Sequence, residues 1–207
     1  KRKVEQINSK AMMELNEEEK RFEMKRCPTE ELELTKEERH FENEISPSRL
    51  EHELEFLKTN INCERCLVLK KGAQVMCVAN LDVDGPNPIC NGSQGIIKDF
   101  DSGGYPIVKF KNGALRTIKP HVWQSENLKV VAVKQIPLIL AWALTIHKSQ
   151  GATLDFAEID IGSGIFECGQ TYVALSRIVG LEGLYLKSFD YNKIKINKKV
   201  AKFYKEI

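Results

Sequence analysis

Near the start of the chain, apolar residues recur at helical spacing. The i, i+3, i+4 rhythm predicts an amphipathic helix whose apolar face is formed by Val4, Ile7, Ala11, Met12 and Leu15. The following segment, Glu17–Glu44, is dense in charge and has few apolar positions. We therefore expect a solvent-exposed surface segment there, with one short helix near Lys36–Phe41.

A second helix is predicted from Ser46-Pro47, with serine as the cap and proline in the first turn. Leu50, Leu54 and Leu57 follow at helical spacing and are expected to pack in the core. From Cys66 onward the period changes to that of strands. Apolar positions on either side of the Lys71-Gly72 turn predict a hairpin.

Several short strands with tight turns then follow over about 60 residues, which is typical of a small barrel. They are expected at Gly95–Ile97, Ile107–Phe110 and Leu115–Ile118. Beyond Val133, strand-like runs alternate with helical ones. Strands are expected at Leu138–Leu144, Phe156–Ile161 and Leu184–Phe189, with a turn and short helix at Thr145–Leu154 and a helix at Gln170–Ile178. This alternation predicts a mostly parallel sheet, and so an α/β domain with a β insertion.

Composition narrows the class of protein without identifying a partner. The chain has 207 residues, 42% hydrophobic and 29% charged, which is typical of a globular protein with a core. No apolar run reaches the roughly 20 residues of a membrane span, and we expect no membrane partner. Residues 1–60 carry a net charge of −4 and the remainder +6, so a polyanion would prefer the second part.

Six cysteines raise the question of a metal site. Cys63 and Cys66 have the spacing of half a structural zinc site, but a second CxxC or a histidine pair at suitable spacing is missing. We therefore expect free thiols in a reducing compartment and no bound metal.

A first polar cluster follows the predicted strand Leu138–Leu144. It runs Thr145-Ile146-His147-Lys148-Ser149-Gln150-Gly151. Ligands bind just beyond the carboxyl ends of strands in open parallel sheets, and these side chains can meet phosphate or sugar oxygens. Gly151 would let the backbone approach closely. The alternative is a capped helix start on an ordinary loop.

A second cluster lies in the predicted helix and runs Gly169-Gln170-Thr171-Tyr172-Val173-Ala174-Leu175-Ser176-Arg177. An arginine at the end of an apolar helix is commonly a solvated charge that complements the helix dipole. The sharper interpretation is a guanidinium directed at a phosphate, because its planar fork matches that geometry.

Together the two clusters resemble motifs V and VI of the PIF-type helicases, the petite-integration-frequency branch close to RecD within superfamily one. Gly169 lies 18 residues after Gly151. The resemblance extends upstream to Leu69–Met76, Asn80–Asp82 and Cys90–Gly95. The resemblance covers about residues 50–190, with a weaker match at Val4–Leu15.

The resemblance implies an α/β fold: a RecA-like parallel-sheet domain of the P-loop NTPase superfamily, the second motor domain, interrupted by a small SH3-like β-barrel. The implied boundaries are 1–69 and 133–207 for the RecA-like domain and 70–132 for the insertion. In such helicases two RecA-like domains close around ATP while single-stranded DNA runs across both.

The resemblance also implies residue roles. Arg177 would be the finger that reaches the γ-phosphate, and Gln150 and Gly151 would lie near the nucleotide. Contacts with DNA are implied for Thr145, His147, Lys148, Ser149, Asn91 and Gly92. How the residues of the first cluster divide between nucleotide and DNA stays open.

The phosphate-binding loop GxxxxGK[ST] does not occur in the 207 residues, nor does an Asp-Glu pair after an apolar strand. By the resemblance, both belong to an N-terminal RecA-like domain. We therefore expect a fragment that is inactive alone. ATP and Mg²⁺ would serve the complete enzyme, while the fragment itself requires no cofactor. The partners would be that N-terminal domain and single-stranded or forked DNA.

Two function classes compete. The first is the C-terminal motor domain of an ATP-dependent 5′–3′ DNA helicase, with polarity implied by the resemblance alone. The second is a non-catalytic single-stranded nucleic-acid-binding module derived from such a helicase. A further hypothesis, supported only by exposed charge, is a protein-interaction fragment that uses Glu17–Glu44. An intracellular location is expected: nucleus or mitochondrion in a eukaryote, otherwise cytoplasmic or viral.

Overall fold

The computed structural model describes residues 2–42, 45–82 and 84–204, with only the backbone for residues 40–42. The described residues form five α-helices: α1 (Arg2–Glu14), α2 (Lys36–Glu42), α3 (Pro47–Asn60), α4 (Gln170–Leu175) and α5 (Lys198–Phe203). The strands are β1 (Lys20–Glu23), β2 (Lys25–Arg26), β3 (Cys66–Leu69), β4 (Gln74–Cys77), β5 (Gln94–Phe100), β6 (Pro106–Phe110), β7 (Leu115–Thr117), β8 (His121–Gln124), β9 (Ala132–Gln135), β10 (Leu138–Leu140), β11 (Ala157–Ile161) and β12 (Leu184–Phe189). Among these helices, none has the length and apolar character needed to cross a membrane.

The chain divides into two compact units, residues 2–143 and 144–204 of the described chain. The domain boundaries expected at residues 70 and 133 stay predictions.

The predicted N-terminal helix is confirmed as α1, with Met12 buried. Asn8 ties α1 to the end of the first unit: its amide nitrogen donates to the Ala143 carbonyl at 3.0 Å, and its amide oxygen accepts from the Ala143 N–H at 2.9 Å.

The charged segment is more structured than its composition indicated. The predicted short helix is present as α2, but β1 and β2 also lie in this segment. β1 pairs antiparallel with β3, and β2 pairs antiparallel with β9. The predicted exposure is confirmed for Lys20–Arg26, where every residue is half-buried or exposed, but the two strands were not predicted. Backbone hydrogen bonds to distant strands hold these residues, while their charged side chains can still face water. Asn43 and Glu44, the end of the predicted segment, lie outside the described residues.

The hairpin predicted across Lys71-Gly72 is also wrong. A turn does lie there, and Gly72 has φ of 84°. However, β3 pairs with β1, whereas β4 pairs with β5 and β10. The Gly72 N–H donates to the Ile97 carbonyl at 2.8 Å, so the turn leads the chain from one sheet into another. A partner 40 or more residues away along the chain leaves no local signal in the sequence.

The short strands predicted after residue 94 are confirmed. They lie in a five-stranded antiparallel sheet of order β10-β4-β5-β6-β7. The main core of the unit is built around the apolar residues Leu67, Leu69, Val75, Ile97, Val108, Ile118, Ile136 and Leu138. An SH3-like closure of these strands stays a prediction.

The helix predicted from Ser46-Pro47 is confirmed as α3, with Pro47 in its first turn. Ser46 is the N-cap residue, but its side chain makes no capping hydrogen bond. Leu54 is buried, and Leu50 and Leu57 pack against the same core cluster, which also holds Val131 and Val133. These leucines are packing residues, as expected.

The second unit contains the one parallel pair among the described strands. β11 and β12 run parallel and are connected through α4, as the alternation of elements predicted. Their core holds Ile159, Ile161, Ile165 and Ala174. The strand predicted at Leu138–Leu144 is shorter, and it pairs antiparallel with β4. The expectation of a mostly parallel sheet is therefore met only by β11 and β12, because β10 joins the meander of the first unit instead.

Candidate nucleotide and nucleic-acid interface

The segment Thr145–Gly151 forms consecutive turns rather than the predicted short helix. The Ser149 N–H donates to the Thr145 carbonyl at 3.1 Å, and the Lys148 N–H donates to the Thr145 hydroxyl at 3.3 Å. Ser149 is buried, and its hydroxyl donates to the Ile146 carbonyl at 2.8 Å. Its side chain therefore holds the turn together.

The remaining polar residues of this turn face outward. His147, Gln150 and Gly151 are exposed, and Lys148 and Thr145 are half-buried. Gly151 has φ of 80°, a conformation that side chains disfavour, and a Cβ there would meet open space. Glycine is thus required by the backbone angle, and it leaves room for a ligand to approach the chain.

The second cluster begins at Gly169, the N-cap of α4, which also has a positive φ of 79°. Gln170 is buried, and its amide oxygen accepts from the backbone N–H groups of Phe166 and Glu167 at 3.0 and 3.2 Å. Gln170 therefore fixes the loop that enters α4. The sequence placed it in the motif without predicting this role, because its burial and its bonds to Phe166 and Glu167 are visible only in the structure.

Arg177 lies just beyond α4 and folds back on it. Its Nε donates to the Val173 carbonyl at 3.1 Å, and one Nη donates to the Ser176 hydroxyl at 2.9 Å. Arg177 is half-buried, and in this structure its guanidinium is bonded to neutral groups of its own helix.

A backbone connection joins the two clusters. The Leu154 N–H donates to the Arg177 carbonyl at 2.9 Å, and the Val179 N–H donates to the Leu154 carbonyl at 3.1 Å. Leu154 and Ile178 form an isolated parallel bridge. Three residues after Gly151, the first cluster is therefore fixed to the end of the second, within one compact unit. The sequence did not predict this contact.

Asn91 and Gly92 lie in the first unit, in the turn before β5. The Asn91 N–H donates to the Asn80 side-chain oxygen at 2.9 Å, and the Gly92 N–H donates to the Cys77 carbonyl at 2.8 Å. Asn91 is exposed, whereas Gly92 is buried with φ of 96°. Only the Asn91 side chain is presented to solvent here.

All six cysteines are free thiols. Burial raises the pKa of the Cys77 thiol above its ordinary value, and Cys77 donates to the Ala79 carbonyl at 3.2 Å. Within the part of the chain that the structure describes, no three His, Cys, Asp or Glu side chains gather into a group that could hold a metal ion.

The chain matches the family model "DNA helicase Pif1, 2B domain" over residues 53–100. The ATP-dependent DNA helicase PIF1 of Danio rerio is 45% identical over 147 residues, which are 69% of this chain and 22% of that protein. The crystal structure of Pif1 helicase from Candida albicans has a TM-score of 0.67 at 30% identity, covering 99% of this chain and 47% of that one. A Bacteroides Pif1 helicase in complex with ADP-AlF3 and ssDNA has a TM-score of 0.62 at 26% identity, covering 99% of this chain and 42% of that one.

These similarities place the chain in the class of helicase domains with a mixed α/β fold. Within that class it is a relative of the Pif1 helicases, and the resemblance read from the two motifs is confirmed. The chain spans about a fifth of the length of the curated relative and less than half of the solved structures.

Proposed function

We propose that this chain is the C-terminal motor domain of an ATP-dependent DNA helicase that moves 5′ to 3′. It would supply single-strand contacts and an arginine finger to an ATP site shared with an N-terminal RecA-like domain. The observation that carries the proposal is the backbone link from Leu154 to Arg177. This link connects the loop to the backbone of Arg177 in one element, as expected for a device that relates nucleotide state to strand contact.

The hydrogen bonds of Arg177 support a role as a finger. Its partners, the Val173 carbonyl and the Ser176 hydroxyl, are neutral acceptors. Phosphate oxygens carry charge and accept stronger, often bidentate, hydrogen bonds from a guanidinium. A triphosphate brought within reach would therefore draw the side chain away from its helix. We assign Gln150 and Gly151 to the nucleotide side of the same element.

The exposed part of the turn supports contact with a DNA backbone. His147 is exposed and Lys148 half-buried, and both can meet phosphates. Thr145 and Ser149 would contribute mainly by holding the turn, since their oxygens already accept or donate within it. From the first unit, Asn91 would reach the strand with its side chain, and Gly92 would shape the turn that presents it.

In the complete enzyme, ATP and Mg²⁺ would be bound largely by the N-terminal domain, and this fragment alone would require no cofactor. Single-stranded or forked DNA would be the nucleic-acid partner; the Bacteroides relative described above holds ssDNA. The alternative, a non-catalytic single-strand-binding module, predicts the DNA contacts without any dependence on ATP.

The test is to fuse the chain to the N-terminal RecA-like domain of a Pif1 relative and to measure ATP hydrolysis with and without single-stranded DNA. We expect DNA-stimulated turnover from the fusion and none from either half alone. A fusion that binds DNA but never hydrolyses ATP would favour the non-catalytic module.

A further inference from the structure

The end of the described chain is strongly basic. Residues 191–204 contain five lysines and no aspartate or glutamate: Lys193, Lys195, Lys198, Lys199 and Lys202. Four of these are exposed, and Lys193 is half-buried. With the carboxylates of the described residues, Lys193, Lys195, Lys198 and Lys199 form no ion pair. Their charge is therefore available to an external anion.

Aromatic and aliphatic side chains alternate with these lysines and are also exposed. Tyr191 is 76% exposed, Phe203 59% and Tyr204 73%. On α5, Lys199 and Phe203 are four residues apart and share one face, as do Lys198 and Lys202. Exposed rings beside lysines provide both a surface on which bases can stack and charges that can meet phosphates.

The segment is hydrogen-bonded to the start of the second motif cluster. The Lys195 carbonyl accepts from the N–H of Gly169, the N-cap of α4, at 3.1 Å. The Asp190 N–H donates to the Ile161 carbonyl at the end of β11. Asn197 caps α5 by accepting from the Lys199 N–H at 2.9 Å. Lys195 therefore lies beside the start of α4, and the lysines of α5 follow it on a capped helix.

We infer that residues 191–204 form an additional binding site for single-stranded DNA, in which the lysines meet phosphates and the exposed rings meet bases. The site lies outside the two motif clusters. It rests on the proposed function for the choice of DNA as the ligand. The exposed rings favour a nucleic acid over an acidic protein or an anionic lipid surface, because bases can stack on them.

The test uses the 207-residue chain and a fluorescein-labelled oligothymidine, with affinity measured by anisotropy over a series of salt concentrations. The variant replaces Lys195, Lys198 and Lys199 by Gln. The matched control replaces Lys36, Lys119 and Lys129 by Gln; these are exposed lysines of the first unit. Loss of three phosphate contacts should make the slope of log affinity against log salt shallower by about 2, and should weaken binding at low salt about ten-fold or more. The control should match the unaltered chain.

Two further arms separate the sources of binding. Tyr191→Leu should weaken binding about five-fold or more without changing the salt slope, because it removes a ring and not a charge. Replacing His147 and Lys148 by Ala tests the motif turn independently, so the failure of one site does not hide the other. Equal slopes for the tail variant and the unaltered chain, or no salt-dependent binding at all, would overturn the inference. Tighter, lysine-dependent binding to phosphatidylserine vesicles than to DNA would overturn it in favour of a lipid surface.

Discussion

The N–H of Leu154 donates to the carbonyl of Arg177 at 2.9 Å, and Val179 returns a hydrogen bond to Leu154. These bonds connect a polar turn to the end of α4 across more than 20 residues of chain. A movement of the backbone at Arg177 would therefore be transmitted to Leu154, three residues after Gly151.

Replacing Leu154 by Pro should break this connection. Proline has no N–H, so the Arg177 carbonyl loses its partner, and its ring constrains the backbone. Hydrogen exchange measured by mass spectrometry should show faster exchange of the Val179 amide. Leu154→Val keeps the N–H and serves as the control. Unchanged exchange at Val179 in the proline variant would mean that the link is not a stable feature in solution.

Asn8→Ala should destabilise the first unit. It removes both hydrogen bonds to Ala143 and leaves a backbone donor and acceptor without these partners. The free energy of unfolding should fall by about 1–3 kcal/mol in guanidinium titrations. Gln6→Ala, on the exposed side of α1, should change it by less than about 0.5 kcal/mol. Equal effects from the two variants would contradict the assigned role of Asn8.

Gln135→Leu should be costlier, because the side chain is 2% exposed and joins three segments. Its amide nitrogen donates to the carbonyls of Phe22 and Glu64 at 2.9 and 3.0 Å, and its oxygen accepts from the Ile136 N–H at 2.8 Å. The expected loss is about 2–4 kcal/mol, measured by urea unfolding. Gln124→Leu, at an exposed position of β8, is the control. A loss below 1 kcal/mol at Gln135 would argue against a buried polar junction there.

Thiol labelling should distinguish the cysteines by exposure and acidity. Cys66 and Cys168 are exposed and should react first with a maleimide near neutral pH. Burial raises the pKa values of Cys27 and Cys77, so less thiolate is present at a given pH, and access is also blocked. These two should react only after unfolding. Early modification of Cys77 under native conditions, identified by peptide mass mapping, would contradict the described core.

Local periodicity predicted elements that bury one apolar face, even where that face packs against distant residues, as Met12 does against Leu67 and Leu69. Val4–Leu15 and Ile107–Phe110 are examples, because their apolar positions directly reflect one buried face. The strand Lys20–Glu23 was missed because its alternation of half-buried and exposed residues carries charge on both faces. Its pairing with β3, more than 40 residues away, left no mark in either segment.

The candidate site shows the same division. Spacing and residue type identified Thr145–Gly151 and Gly169–Arg177 as candidates. The backbone hydrogen bonds of Leu154 could not be predicted, because nothing in the sequence distinguishes Leu154 from other apolar residues. The helix expected after Thr145 does not form, because Ser149 bonds back to Ile146 and Gly151 takes a positive φ. The positions of backbone hydrogen bonds required the folded structure.

If Arg177 completes an ATP site, Arg177→Ala in the fused helicase should abolish most of its ATP hydrolysis. The measurement is the turnover number for ATP hydrolysis at saturating single-stranded DNA, with Arg49→Ala, an exposed arginine of α3, as the control. Arg177→Ala should lower the turnover number about 10³-fold or more while DNA affinity is retained, and Arg49→Ala should leave the turnover number unchanged. Full turnover in the Arg177→Ala variant would contradict this role of Arg177.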